Sequence, residues 1–167
     1  MGSITPRVLQ AIAAIHGAQP ALTIIADSRH GLTCFPPFIY KMNAAEFTAL
    51  THDTASANHS PDVLRAGAAN LAKRNQHPVF ITMAEQGMIG ATPEGETAHV
   101  PARPLRGSID IVGAGDTVTA TLALTLAAGA TPLESMELAQ AAANLVVHQL
   151  GTTGTPEPRE LRKLLST

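Results

Sequence analysis

The chain has 167 residues, enough for one compact domain with a substantial core. Hydrophobic residues make up 45% of the chain and charged residues 14%, with no Trp, so Ala, Leu, Val and Ile must fill that core. A formal net charge of −2 without a run of Lys and Arg argues against a nucleic-acid partner. No apolar stretch is long enough to cross a membrane and no secretory signal is visible, which indicates a cytoplasmic protein.

The first part of the chain alternates predicted helices with predicted strands. Thr5-Pro6 opens a helix that ends near Gly17, and the apolar run 21–26 predicts a buried strand that ends in Asp27. A second strand is predicted over 38–41, followed by a helix that Asn43 can cap. Ligands tend to bind at the carboxyl ends of such strands, where Asp27 is expected to lie.

The middle of the chain continues this alternation. Ser60-Pro61 opens another helix that ends near Asn75, and 79–83 predicts a third buried strand. The segment 87–100, punctuated by a Pro-Glu-Gly-Glu turn, predicts a β-hairpin or two short strands. The pattern therefore predicts an α/β fold of Rossmann-like type, a mostly parallel sheet with flanking helices.

The last third of the chain predicts helices alone. Residues 117–128 are apolar or Thr on nearly every side, which predicts a helix buried over most of its surface. Gly129 predicts its end, and the segment 131–134 (Thr-Pro-Leu-Glu) predicts a capping box for the next helix. Thr155-Pro156 predicts the start of a final helix.

The segment 110–117 (Asp-Ile-Val-Gly-Ala-Gly-Asp-Thr) carries the chemistry that is easiest to interpret. The amides of Gly113, Ala114 and Gly115 at a helix N-terminus would form a concave set of donors for a phosphoryl group. Asp116 would place a carboxylate beside that group and accept a proton from an attacking hydroxyl. On local chemistry alone, a tight loop with a helix-capping Asp is an equally good interpretation.

This segment resembles the signature Asp-Thr-x-Gly-Ala-Gly-Asp of the ribokinase-like (PfkB) carbohydrate kinases and departs from it at Ile111. Two more segments resemble motifs of this family in the expected order. Residues 43–46 (Asn-Ala-Ala-Glu) are similar to its Asn-x-x-Glu motif, and 82–87 (Thr-Met-Ala-Glu-Gln-Gly) to Thr-Leu-Gly-x-x-Gly, with Ala84 in place of a Gly. The fold expected from the resemblance is the C-terminal part of a ribokinase-like fold.

The resemblance implies roles for individual residues. Asn43 and Glu46 would organise Mg²⁺ and the phosphates of ATP, while Thr82 and Gly87 would belong to the nucleotide segment. The family helix that flanks adenine matches 141–151 and contains Asn144. Two structural alternatives stay open: Asn43 and Glu46 have the spacing of an ordinary capping box, and Asn144 can bond a neighbouring helix.

In some members of this family a monovalent cation such as K⁺ sits behind the anion-binding turn. The resemblance assigns its ligands here to the Asp110 side chain, the carbonyl of Val112, carbonyls near Val146, Gln149 and Gly151, and the Thr155 hydroxyl.

Within the family, 24–27 and 110–124 look closest to heptose-phosphate kinases of the ADP-heptose pathway. Residues 2–6 resemble the family's mid-chain segment, so we expect 1–167 to be a single partial kinase domain without the N-terminal sugar-binding half and lid. The expected activity is ATP-dependent phosphorylation of a sugar or sugar phosphate once that half is supplied. The alternatives are a non-catalytic adenine-nucleotide-binding remnant and an interaction module, and surfaces left uncovered would favour a homo-oligomer.

Overall fold

The computed structural model describes residues 4–29, 31–52 and 60–166. Residues 2 and 3 of the predicted mid-chain segment lie outside this range. In chain order the elements are α1 (Pro6–Ala18), β1 (Ile25–Ala26), β2 (Ile39–Asn43), α2 (Ala44–Thr51), α3 (Pro61–Asn75), β3 (Val79–Thr82), a 3-10 helix (Ala84–Gln86), β4 (Met88–Ala91), β5 (Thr97–Val100), α4 (Ala114–Ala127), α5 (Pro132–Val146) and α6 (Pro158–Leu165).

The strands form one five-stranded sheet in the order β1-β2-β3-β4-β5. β1, β2 and β3 are parallel neighbours, whereas β4 is antiparallel to both β3 and β5. Only β4 therefore runs against the other strands of this sheet. The predicted α/β class with a mostly parallel sheet is confirmed, and so is the hairpin predicted over 87–100.

Helices cover both faces of the sheet because successive strand residues point to opposite faces. On β3, Val79 and Ile81 pack into the cluster that includes Phe47 of α2 and Leu64 of α3. Phe80, which lies between them on β3, packs instead into the cluster of α4 and α5. The parallel strands thus have their carboxyl ends at one edge of a three-layer structure, with α4 and α5 on one side.

Capping boxes begin α5, where the sequence predicts one, and α2, where the box was the structural alternative for Asn43 and Glu46. At the start of α2, Asn43 and Glu46 each accept the other's backbone amide, both at 2.8 Å. At the start of α5, the Thr131 amide and hydroxyl donate to Glu134 Oε2 at 2.8 and 2.7 Å. These bonds to the carboxylate lower the pKa of Glu134.

Several predicted boundaries are wrong, among them that of β2, which spans Ile39–Asn43 rather than 38–41. β1 contains only Ile25–Ala26, because the Leu22 amide bonds the Gln19 carbonyl and the chain before β1 turns. α4 begins at Ala114, inside the segment expected to be a loop. α6 begins at Pro158 rather than near Pro156, since Glu157 serves as its N-cap and forms the capping box with Glu160.

The prediction that the first C-terminal helix is buried over most of its surface is also wrong. Val118, Leu122 and Thr125 are its buried residues, and Val118 and Leu122 pack into the cluster of the sheet and α5. Leu124 is 71% exposed. An apolar composition on all sides therefore does not identify the packed face. The exposed residues Ala120, Leu124 and Ala127 form an apolar strip of α4 that faces away from the described core.

Two helical glycines differ in the room beside them. A Cβ on Gly67 of α3 would lie 2.7 Å from Cζ of the fully buried Phe47, whereas Gly17 of α1 has open space. We expect Gly67→Ala to destabilise the fold by about 1–2 kcal/mol, because overpacking outweighs the gain in helix propensity. Gly17→Ala, the matched control, should stabilise it by up to about 1 kcal/mol. Urea unfolding of both variants measures the difference, and equal effects would contradict this description of the α2–α3 packing.

Candidate active site

A tight turn before α4 begins the candidate site. Gly113 is the N-cap of α4 with φ +83°, and a Cβ at this position would overlap the carbonyl oxygen of Thr153. The Ala114 amide donates to the Ile111 carbonyl at 3.2 Å, and the Thr117 amide donates to the Gly113 carbonyl at 2.9 Å. The backbone of this turn therefore needs glycine at position 113 for both its conformation and its close approach to the loop after α5.

The orientation of the first amides in α4 follows from these bonds. A helix leaves its first amides without intrahelical acceptors, and here the Ala114 amide is used by the turn itself. Of the three amides predicted as an anion-binding set, the one of Ala114 therefore has a backbone acceptor, while the Gly115 amide lies in the first helical turn. The Asp116 carboxylate is exposed in the same turn.

A cavity of about 570 Å³ opens on one side of this turn. It extends from Ala114 and Gly115 to Asn144 and Val147 of the α5 end, and most of its wall is apolar. Its lining residues are Ala84, Glu85, Ala102, Arg103, Pro104, Leu105, Ile109, Ile111, Ala114, Gly115, Val118, Gln140, Ala143, Asn144 and Val147. This volume, and a mostly apolar wall with a few polar groups, are typical of pockets that bind small molecules or cofactors.

Asn144 holds one wall of this cavity. Its side-chain amide donates to the carbonyls of Arg103 and Pro104 at 3.5 and 3.4 Å. His148, one turn further on, contacts the Asn144 carbonyl at 2.6 Å and the Arg106 carbonyl at 3.0 Å. Asn144 therefore bonds the extended segment after β5 rather than a neighbouring helix, and it lines the cavity as well.

A second cavity, of about 410 Å³, lies on the other side of the α4 turn. Asp116 lines it together with Thr119 of α4 and with Asp27 and Arg29, which follow β1. The first turn of α4 thus separates two cavities, with Gly115 on the wall of the larger one and Asp116 on the wall of the smaller one.

The carboxyl ends of β2 and β3 bring Asn43 and Thr82 side by side. Their Cα atoms are partners in the parallel register, and Thr82 Oγ1 donates to the Met42 carbonyl at 3.4 Å. Asn43 and Glu46 form the capping box described above, so the ordinary structural alternative for this motif is present. Only Oε2 of Glu46 takes part in that box.

The segment that joins β3 to β4 is held in an unusual conformation. Gly87 has φ +93°, and a Cβ there would overlap the Val100 carbonyl oxygen. The Met83 amide donates to the Gly87 carbonyl at 2.8 Å, which closes the loop. Ala84, which stands where the resembling motif has Gly, has φ +50° and lines the larger cavity.

The residues assigned by resemblance to a monovalent cation lie in one group of loops. Asp110 accepts the Val112 amide with Oδ1 at 3.0 Å and the Gly151 amide with Oδ2 at 3.2 Å. Gln149 brackets the backbone of Thr155, accepting its amide at 2.7 Å and donating to its carbonyl at 3.2 Å. The Val146 carbonyl accepts the Gln149 amide at 2.9 Å. The Gly151–Asp110 bond, together with the Asp110 amide donating to the Val147 carbonyl at 2.7 Å, fastens the Asp110–Val112 segment to the end of α5 and the loop after it.

Sequence reasoning missed two residues beside the turn, Lys41 and Thr119. Lys41 Nζ forms an ion pair with Asp27 Oδ2 at 2.9 Å, and Thr119 Oγ1 donates to the same oxygen at 2.8 Å. A lysine in an otherwise apolar strand was the available signal, because a buried ammonium needs an anionic partner and the preceding strand ends in Asp27.

Known proteins of one family are similar to this chain. The sequence profile of the pfkB family carbohydrate kinases matches residues 11–159. The bifunctional protein HldE of Caulobacter sp. strain K31 is 40% identical over 159 residues, which are 90% of this chain and 31% of that protein. HldE of Erwinia tasmaniensis is 36% identical over 136 residues, 81% of this chain and 26% of that protein. The chain spans about a third or less of the length of these relatives.

Solved structures agree on the fold. Phosphofructokinase-2 from Escherichia coli in complex with potassium superposes with a TM-score of 0.81 over 98% of this chain and 52% of that one, at 21% identity. Arabidopsis thaliana ribokinase complexed with ribose and ATP gives a TM-score of 0.78 over 97% of this chain and 52% of that one, at 22% identity. The fold is therefore that of the ribokinase-like kinases. The chain belongs to the pfkB family of carbohydrate kinases.

Ala84 provides a test of the loop geometry. A left-handed conformation costs a residue with a Cβ about 1–2 kcal/mol in the folded state. Glycine avoids this strain, but part of the gain is offset because glycine makes the unfolded chain more flexible. We expect Ala84→Gly to stabilise the fold by up to about 1 kcal/mol. Ala45→Gly, on the exposed face of α2, should destabilise it by about 1 kcal/mol. Urea unfolding measures both, and destabilisation by Ala84→Gly would contradict the assigned backbone.

Proposed function

We propose that this chain provides the nucleotide-binding and phosphoryl-transfer part of an ATP-dependent carbohydrate kinase. The observation that carries the proposal is the position of the α4 turn between two cavities, with Gly115 facing the larger one and Asp116 the smaller one. Such an arrangement allows a donor on one side and an acceptor on the other to meet at a single helix N-terminus. Membership of the pfkB family supports the same reaction class.

The larger cavity is the proposed site of the adenine nucleotide. Its apolar walls between Val118 and Val147 suit a planar base, and its other end opens at Gly115. In this orientation the phosphates extend toward the first turn of α4. The loop of Thr82 and Gly87 lies at the carboxyl end of β3, where the nucleotide would pass from the sheet edge into the cavity.

The proposed chemistry uses charge and position. The Gly113–Gly115 turn, mainly through the Gly115 amide, and the positive end of the α4 dipole stabilise negative charge on the transferring phosphoryl group. Asp116 accepts the proton of the attacking hydroxyl from the opposite cavity. In this arrangement the amide that binds the phosphoryl group and the carboxylate that accepts the proton belong to the same helical turn. The helix itself therefore fixes the distance between them.

Residues near the sheet edge fit a role toward Mg²⁺. Glu46 uses Oε2 for the capping box, which leaves its other carboxylate oxygen for another ligand beside the side chain of Asn43. Among the described residues no group of three or more His, Cys, Asp and Glu side chains could hold a metal ion. Mg²⁺ is commonly held by one or two carboxylates together with water and nucleotide phosphates, and it neutralises phosphate charge when bound. We assign Asn43 and Glu46 to this role.

The loops around Asp110 fit a monovalent cation such as K⁺. The set combines one carboxylate, Asp110, with backbone carbonyls near Val112, Val146, Gln149 and Gly151 and with the Thr155 hydroxyl, all oxygen atoms suited to a hard cation. The Asp110 bonds to the Val112 and Gly151 amides already join the two loops. A cation there would stiffen the turn that carries Gly113.

We propose that the acceptor is a sugar or a sugar phosphate, as the resemblance to heptose-phosphate kinases suggests. This chain matches 52% of the length of each of these two solved kinases. We infer that most of the sugar site belongs to that remaining part of the kinase fold. That part would also cover the exposed strip of α4, and in its absence the strip would favour a homo-oligomer. ATP as donor makes the cytoplasm the expected location.

A pair of alanines on the two cavity walls tests the assignment of the donor site. Ala143 lines the larger cavity and Ala120 the smaller one. Ala143→Leu should weaken MgATP binding by about tenfold or more, because a steric conflict of 1–3 kcal/mol corresponds to that factor. Ala120→Leu should leave binding within about twofold. Calorimetric or thermal-shift titration of each variant measures this, and the reverse order of effects would refute the assignment.

Asp116 separates binding from transfer. Asp116→Asn keeps the shape of the turn and removes both the proton acceptor and one negative charge near the phosphates, so MgATP affinity should be retained or rise. Phosphoryl transfer to a sugar acceptor, in whatever assembly supports it, should fall by about 10²–10⁴-fold. Transfer of label from γ-labelled ATP measures the rate. Wild-type transfer rates in Asp116→Asn would remove Asp116 from the mechanism.

A further inference from the structure

Three side chains from three elements meet beneath the first turn of α4. Asp27 follows β1, Lys41 lies on β2, and Thr119 lies one turn after Gly115 on α4. Asp27 Oδ2 accepts from Lys41 Nζ at 2.9 Å and from Thr119 Oγ1 at 2.8 Å. A single carboxylate oxygen thus joins two strands of the sheet to the helix that carries the candidate catalytic turn.

Burial makes this contact demanding. The Lys41 side chain is 7% exposed, so its ammonium is largely removed from water, whereas the Asp27 side chain is 24% exposed and keeps some contact with solvent. A buried ammonium without a carboxylate is strongly unfavourable, and charge-assisted hydrogen bonds are stronger than neutral ones. The geometry around Asp27 Oδ2 is therefore held by more than a surface ion pair would hold it.

The same group lies directly against the turn. A Cβ built on Gly115 would lie 3.4 Å from Lys41 Nζ, in ordinary van der Waals contact, so the ammonium lies near Gly115 with room for about one methyl group between them. The Thr119 hydroxyl is also 3.0 Å from the Gly115 carbonyl. A hydroxyl has one proton, and the shorter contact to a charged oxygen favours Asp27 as its acceptor.

We propose that Asp27 is a positioning residue that, through Lys41 and Thr119, fixes the first turn of α4 and with it the Gly115 amide and the Asp116 carboxylate. The inference rests on the proposed function, since it concerns how that turn is oriented toward a bound phosphoryl group. The contacts that carry it are independent of any ligand. Asp27 itself acts through these neighbours.

Threonine variants on α4 test the proposal with little change in volume or charge. Thr119→Val removes the hydrogen bond to Asp27 together with the alternative donation to the Gly115 carbonyl. Thr125→Val is the matched control, because the Thr125 hydroxyl bonds only carbonyls of its own helix, those of Thr121 at 2.8 Å and Leu122 at 3.3 Å. Thr119→Ser restores the hydroxyl. Asp27→Asn neutralises the carboxylate.

Hydrogen exchange of the Thr117 amide, the first that bonds within α4, reports on the turn without any ligand. We expect exchange about tenfold faster in Thr119→Val, unchanged exchange in Thr125→Val, and the unaltered rate in Thr119→Ser. Equal exchange in Thr119→Val and Thr125→Val would overturn the proposal, whatever the chain binds. Because Thr119→Val leaves the ion pair intact, this result stands even where Asp27→Asn fails to fold.

MgATP binding gives a second readout that separates positioning from simple charge. Removing the negative charge of Asp27 would strengthen binding of a triphosphate if only long-range electrostatics acted. Positioning predicts weaker binding in Asp27→Asn and in Thr119→Val, with recovery in Thr119→Ser. Tighter binding in Asp27→Asn would overturn the proposal. If the unaltered chain binds no MgATP, the proposed function fails, and the exchange comparison alone decides the role of Asp27.

Discussion

The contact between Gly113 and the Thr153 carbonyl determines where the candidate site can form. It holds Gly113 at φ +83° and joins the start of α4 to the loop that follows α5. Asp110 strengthens the same junction through its bonds to the Val112 and Gly151 amides. Because α4 and α5 also pack on one face of the sheet, the turn, the larger cavity and the sheet edge keep a fixed relation to one another.

Opposite requirements meet at the first turn of α4. A helix N-terminus favours negative charge, and Asp116 and Asp27 both lie close to this one. The same two carboxylates would repel a phosphate bound there. The buried Lys41 compensates for part of this negative charge from the sheet side. In the proposed function, this compensation would let the turn carry the Asp116 carboxylate while its amides and the helix dipole bind an anion on the other side.

Much of this arrangement could be predicted from the sequence because it depends on local patterns. The Gly-Ala-Gly-Asp turn, both capping boxes and the β3–β5 meander have signals that a few neighbouring residues carry. The start of α6 was wrong because two prolines, Pro156 and Pro158, offer similar N-terminal signals, and a capping box made by Glu157 and Glu160 decides between them. The limited burial of α4 could not be read from its sequence, because composition does not reveal which partner covers a helix.

The long-range part of the site was not predictable in the same way. The meeting of Asp27, Lys41 and Thr119 spans 92 positions between Asp27 and Thr119 and depends on strand order. The left-handed Ala84 was likewise visible only as a departure from a glycine-containing motif. Roles assigned to Asn43, Glu46 and the Asp110 loops stay proposals, since their contacts in the fold are also those of ordinary caps and loop ties.

An NMR titration of the chain with MgATP shows whether the larger cavity and the α4 turn form one nucleotide site. If they do, the amide signals of Ala114, Gly115, Ala143 and Asn144 should shift saturably with a common dissociation constant, and Mg²⁺ alone should cause much smaller shifts. A folded chain whose shifts stay absent from these residues, or gather instead around Arg29 and Ala123, would contradict such a site.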